Sequence, residues 1–440
     1  MIAGGVFPFA WLNKDLRWIM VGRAVRSMSQ GYLGVIVSLY LLQIGFNAVS
    51  LGELFTIGAI VSALLTFAVS LLADQVGRKP FLFGFPFLTA VCAVIFISTR
   101  DFWVIVAASA FGTISRGGGG AGGPGGGGPF YPAEQALCAD HAPVDRRNDV
   151  FAALSMTDTL AATVGALLAA VPDLLVAHAG FTPADSYKPL FVLTSVASIV
   201  GALAIVPVRE TVRRRTKADK PRAVLSRQSR GIILRLALTN LTNGIGVGFF
   251  APFVAYWLYQ RFNVGSGTIG LLFAAVSLGA TVPYLASPWL ARRLGVVNAV
   301  VGIRLIGVVT LAILPLMPTF PLAATLYFFR MTLQRASIPL RQSYSMGVVA
   351  KEERSAAAGL SNLPSQFAAA ASPLAAGYIF QTVSLELPFE IGTVLQLLNA
   401  VLFYTLFRNV RPSEETARTG ATVVQAVPAS PTPAPPPGSA

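Results

Sequence analysis

Charge is scarce in this chain: only 12% of its 440 residues are Asp, Glu, Lys or Arg, where an ordinary soluble domain carries roughly 25%. With 54% hydrophobic residues, that shortage excludes a fold kept in water by its own surface. Histidine and cysteine are nearly missing, being confined to His141, His178, Cys92 and Cys138. No cluster of His, Cys and carboxylates has metal-ligand spacing, so neither a metal site nor a cofactor is expected. Cys92 falls in an apolar stretch and Cys138 in a basic one that reads as a connection, which places the pair poorly for a disulfide. No nucleophile, base and orienting group stand at a recognisable spacing either, so an enzyme is not expected.

Acidic residues are the scarcer charge, with 19 Asp and Glu against 33 Lys and Arg and a net charge of +14. On a soluble protein this excess would suggest a nucleic-acid partner. In a polytopic membrane protein, basic residues retained on the cytoplasmic side produce the same excess, and no nucleic acid is expected.

What is abundant is long apolar sequence. Runs near 17–44, 49–72, 80–98, 102–127, 149–173, 187–208, 231–259, 267–290, 297–316, 320–346, 354–381 and 388–408 each approach the ~20 residues needed to cross a bilayer. The reading is an all-α integral membrane protein with 12 transmembrane helices. No basic start precedes the first apolar residues, so the first run reads as a retained span rather than a cleaved signal.

Basic residues crowd into alternate connections, among them Arg78, Lys79, Arg146, Arg147, Arg292, Arg293, Lys351 and Arg354, with Arg100, Lys188 and Arg261 in the others. By the positive-inside rule both termini are cytoplasmic. Short loops without organelle signals suit a bacterial inner membrane.

A basic segment at 209–230 divides the chain into an N-terminal bundle, 1–208, and a C-terminal bundle, 231–410, each of six spans. The Pro-rich stretch 411–440 is too poor in apolar residues to form a core and reads as a disordered cytoplasmic tail. The halves resemble each other. YLLQIGFNAVSLGELF at 40–55 matches YWLYQRFNVGSGTIGLLF at 256–273, and LADQVGRK at 72–79 matches LARRLGVV at 290–297. Repeated halves are typical of secondary transporters.

The segment SLLADQVGRKP at 70–80 resembles the Gly-x-x-x-Asp-Arg-x-Gly-Arg-Lys signature between spans 2 and 3 of the major facilitator superfamily. Asp74, Gly77, Arg78 and Lys79 match it, while Ser70 and Gln75 depart from it. The resemblance implies two pseudo-symmetric six-helix bundles and a gating contact in which Asp74 meets a helix N-terminus. Arg116, Gly120 and Gly122 similarly resemble the family's buried arginine on span 4. The glycine run 117–128 has no following Lys-Ser/Thr, which excludes a phosphate loop.

Charges inside a span normally face a cavity or a partner. Arg23, Arg26 and Gln30 share one face of span 1 by their spacing, Arg330 and Gln334 one face of span 10, and Asn240 and Asn243 one face of span 7. Because the resemblance places spans 1, 4, 7 and 10 around a central cavity, the expected substrate site is Arg26, Gln30, Arg116, Asn240, Asn243, Arg330 and Gln334. Asp158, read as the only clearly interior acid, is the expected proton-coupling residue, with Arg116 its candidate partner. Arg304 is expected to snorkel.

The function read from these residues is secondary transport of a small anionic or polar solute, coupled to protons, by a monomer in contact with membrane lipids. Efflux of cationic amphipathic drugs is the alternative. Span 5 lacks the Gly-Pro pair common in drug antiporters, which weakens it. A receptor or scaffold is the remote third.

Overall fold

A computed structural model describes residues 13–114, 129, 131–141, 147–209, 227–279, 283, 289–290, 293–349 and 354–410. Expectations for the glycine run with Arg116, for most of the 209–230 segment and for the 411–440 tail lie outside the described residues.

The chain is helical, and no strand occurs among the described residues. In the N-terminal half the helices are α1 (Lys14–Gln43), α2 (Ala48–Val76), α3 (Lys79–Ser98), α4 (Phe102–Gly112), α5 (Tyr131–His141), α6 (Arg147–Leu168), α7 (Val171–Ala179) and α8 (Lys188–Ile205). In the C-terminal half they are α9 (Arg227–Phe250), α10 (Val254–Phe262), α11 (Ser266–Gly279), α12 (Val296–Ile313), α13 (Phe320–Gly347), α14 (Arg354–Thr382) and α15 (Leu387–Phe407). Among the described residues, seven helical segments are long and apolar enough to cross a membrane. Three further helices, α1, α13 and α14, have 30, 28 and 29 residues and carry more polar residues.

Local chemistry sets the ends. Asn47 caps α2 by accepting the Ser50 N–H, and Asp101 caps α4 by accepting the Val104 N–H, each satisfying a donor the helix leaves free. The repeat seen in sequence has a backbone counterpart. Gly77, ending α2, and Gly295, preceding α12, both take positive φ, at 103° and 76°, a conformation that costs glycine little. Asn47 and Asn263 also align, yet act differently. Asn47 is the α2 N-cap, whereas Asn263 is left-handed at the end of α10, because two further residues precede α11.

Packing is inverted relative to a soluble protein. Leu64, Phe67, Trp103, Leu234 and Phe329 point outward, while Arg23, Glu134, Arg330 and Asn399 are buried. Helices therefore approach through small residues. A Cβ added at Gly165 of α6 would meet the Met28 carbonyl of α1, and one at Gly244 of α9 would meet the Ser365 carbonyl of α14. The halves meet through α2 with α14 and through α6 with α11.

The core reports how the halves are arranged. One large apolar cluster, at the end carrying the α1–α2 turn, mixes residues of both halves, including Tyr40, Leu51 and Phe55 with Phe253, Trp257, Phe273 and Phe389. Elsewhere the clusters separate. Leu16, Leu82, Leu137, Val150 and Ile205 pack within the first half, and Leu236, Val300, Leu340, Phe403 and Phe407 within the second. Among the described residues, the apolar core is thus shared by both halves at the α1–α2 end, which it seals, and divided between them at the other.

Candidate functional site

The shared face of Arg23, Arg26 and Gln30 on α1 meets acids from two other helices. Arg26 Nη2 lies 2.5 Å from Glu134 Oε2 on α5, and Arg23 Nη1 lies 3.4 Å from Glu134 Oε1. Arg23 Nε lies 3.6 Å from Asp158 Oδ1 on α6, and the Ser27 hydroxyl donates to the same carboxylate oxygen. Glu134 is almost wholly buried, its side chain 2% exposed, whereas that of Asp158 is 37% exposed. A small cavity of about 30 Å³ adjoins this cluster, bordered by Arg26, Gln30, Thr89, Glu134 and Thr194. It is large enough for one water molecule.

Two expectations change here. Asp158 is not the only interior acid, because Glu134 is buried in a segment that reads as a connection. Cys138 belongs to the same helix and is also fully buried rather than placed in an exposed loop. Both cysteines are free thiols, as their positions in the sequence suggested. The signal that could have revealed Glu134 is its setting in YPAEQALC, where it lies three and four residues from the apolar Leu137 and Cys138. Arg23 is 6% exposed and held between two carboxylates. Asp158 finds its partners in Arg23 and Ser27, while Arg116 lies outside the described residues.

In the C-terminal half, Arg330 is 1% exposed. Its Nε donates to the Gly307 carbonyl of α12 at 3.3 Å, its guanidinium sits 4.6 Å from the centre of the Phe250 ring at the end of α9, and its Nη2 has no hydrogen-bond partner among the described residues. Gln334 shares this face as expected and also lies against Gly307. The pair therefore points into the interior of its own half, between α9 and α12. Arg304 does not snorkel. It is 6% exposed, its guanidinium 5.5 Å from the Phe403 ring centre.

Asn240 donates to the Ser361 carbonyl on α14 at 2.9 Å, and Asn243, half-buried, lies one turn further along α9. Asn399 on α15 was not singled out in the sequence, yet it is fully buried and donates to the Thr239 carbonyl and to Thr242 Oγ1. Asn240 thus ties α9 to α14 and Asn399 ties α15 to α9.

Of the gating segment, Gly77 makes the tight turn expected. Lys79 Nζ donates to the carbonyls of Val206 and Val208 just beyond α8, at 2.5 and 3.0 Å, where a cation complements the negative helix end. Arg78 stands between as the α3 N-cap. The side chain of Asp74 lies outside the description.

The arrangement has counterparts among known proteins. A family model described as Major Facilitator Superfamily matches residues 19–235 and 236–435. An uncharacterized membrane protein of Saccharomyces cerevisiae, YJR124C, is 18% identical over 435 residues, covering 91% of this chain and 96% of its own. Similar solved structures include a bacterial homologue of the human lysosomal transporter Spinster, 13% identical with a TM-score of 0.70 over 92% of this chain and 98% of its own. The nucleoside transporter NupG, as a D323A mutant, is 12% identical with a TM-score of 0.72 over 90% and 100%. A bacterial homologue of the iron transporter ferroportin is 15% identical with a TM-score of 0.68 over 89% and 98%. With its model matched along nearly the whole chain, this multi-pass membrane protein belongs to the Major Facilitator Superfamily, whose fold carries solutes across membranes.

Proposed function

We propose that the chain transports a small anionic or polar solute by alternating access of its two halves, 1–208 and 231–410, in a bacterial inner membrane with both termini cytoplasmic. The observation that carries this reading is an imbalance of interior charge. Arg23 and Arg26 face Glu134 and Asp158 in the first half. The second half holds no Asp or Glu anywhere between residues 231 and 351, yet buries Arg304 and Arg330 to 6% and 1% exposure. Charge is costly away from water unless compensated, and a transported anion supplies what the sequence of that half withholds.

In this reading Arg330 and Arg335 make the second half electropositive, Asn243 and Gln334 serve as adaptable polar groups, and Arg26 and Gln30 complete the site from α1. Asp158 is the coupling residue. It is the partly exposed acid of the cluster, with one arginine and one hydroxyl in reach, whereas Glu134 faces two guanidinium groups and serves to neutralise them. With the positive-inside orientation, the sealed α1–α2 end is external and the molecule faces inward.

The test is counterflow in proteoliposomes against a panel of carboxylates, inorganic phosphate, sugars, amino acids and cationic amphiphiles. Exchange of an anion that weakens at least tenfold in Arg330→Met supports the reading. Exchange confined to cationic amphiphiles and indifferent to Arg330 replaces it with drug efflux.

A further inference from the structure

The sealed end contains a contact between the halves that neither the family fold nor the substrate argument requires. Asp173, on α7, belongs to the first half. Its Oδ1 accepts the Ser266 hydroxyl at 3.1 Å and its Oδ2 accepts the Gly267 backbone N–H at 2.8 Å, both at the opening turn of α11 in the second half. A helix start presents free N–H groups and partial positive charge, so a carboxylate there is held by hydrogen bonds and by the helix dipole together.

Three features show that the contact is built into the chain. The helix is interrupted just before this residue, since α6 ends at Leu168 and α7 restarts at Val171 with Pro172 in its first turn. The receiving segment is Gly265-Ser266-Gly267, and a Cβ at either glycine would collide with or crowd the Asp173 carboxylate. Other bonds cross between the halves at the same end, from Gln43 to the Tyr259 hydroxyl at 3.1 Å and from the Ala48 N–H to Gln381 at 3.2 Å. Of these crossing bonds, the pair at Asp173 alone places a full charge on a helix terminus.

We infer that Asp173 and the α11 N-terminus form a latch that holds the α1–α2 end closed, and that opening this end requires the carboxylate to leave the Gly-Ser-Gly seat. The inference rests on the alternating-access reading. It gives that reading a specific closing element, opposite in position to the Asp74 segment at the other end of α2. Asp173 is itself exposed, so the latch can be released without first unpacking the apolar seal beneath it.

The experiment uses the full chain in nanodiscs with spin labels at two pairs of exposed positions. Phe181→Cys with Val383→Cys spans the sealed end, and Val76→Cys with Leu294→Cys spans the other. All four residues are exposed, and native Cys92 and Cys138 are buried. Asp173→Ala and Gly267→Ala are each expected to add a longer-distance population at the first pair and a shorter one at the second. Asp185→Asn is the control, since among the described residues this acid bonds within its own half, to Thr182 and Lys188. It is expected to leave both distances as in the parent. Unchanged distances at the first pair in both latch variants, with thermal midpoints near the parent's, would overturn the latch. Widening at the first pair with no response at the second would keep the latch and overturn the rocking of two bodies on which it was built. Should Asp173→Ala fail to fold, Gly267→Ala decides alone.

Discussion

Arg26 and Glu134 stand 108 residues apart in the chain and 2.5 Å apart in the fold, and Glu134 extends its other oxygen to Arg23. This acid converts an α1 face with two positive charges into one that can be buried. Glu134→Gln keeps the volume and removes the negative charge that both guanidinium groups face. The expected loss is about 3–5 kcal/mol, the usual cost of removing one member of a buried pair. Adding Arg26→Met to Glu134→Gln should restore part of it, because the orphaned charge goes too. Thermal midpoints of the two single variants and the double variant in detergent check this.

Arg330 is expected to behave in the opposite way. It has an aromatic face and one carbonyl but no acid within its half between 231 and 351, so Arg330→Met should leave stability unchanged or raise it. Under the anion reading the same variant loses at least tenfold in solute exchange. A stable but inactive Arg330→Met protein is the expected pairing, and a destabilised, fully active one would count against a substrate role.

Asp158 separates coupling from carriage. Asp158→Asn retains the size of the side chain and an oxygen to accept from Ser27. Expected is exchange of solute across proteoliposome membranes at near the parental rate, with accumulation driven by an imposed pH gradient abolished. Gradient-driven accumulation that survives the substitution would remove Asp158 from the coupling role.

Close helix approach in the first half depends on a missing side chain. Gly165→Ala would push a methyl into the Met28 backbone carbonyl, and backbone cannot step aside as a flexible side chain can. Separating α1 from α6 should cost about 1–3 kcal/mol, the range for overpacking, and Gly165→Val more. Gly302→Ala, which meets open space, should cost nothing measurable in the same assay.

The sequence by itself determined the architecture. Apolar runs of bilayer length and the LADQVGRK segment were enough to give an all-helical membrane protein and its family, because hydropathy acts through composition, which does not depend on the neighbours a residue finds. Helical spacing also determined which polar residues share a face, and Arg23, Arg26 and Gln30 on α1, with Arg330 and Gln334 on α13, do so. What those faces meet was decided only by tertiary structure. A helical repeat fixes an angle around its own axis and carries no information about the helix packed opposite. Thus Glu134 emerged as the counter-charge of α1 from a segment that reads as a loop, since glycines upstream interrupt the apolar run. Arg330 found the Gly307 carbonyl and the Phe250 ring, and Arg304 stayed inside beneath Phe403. The meeting of Asp173 with the start of α11 lies furthest from the sequence, since the two segments are brought together only when one half closes on the other.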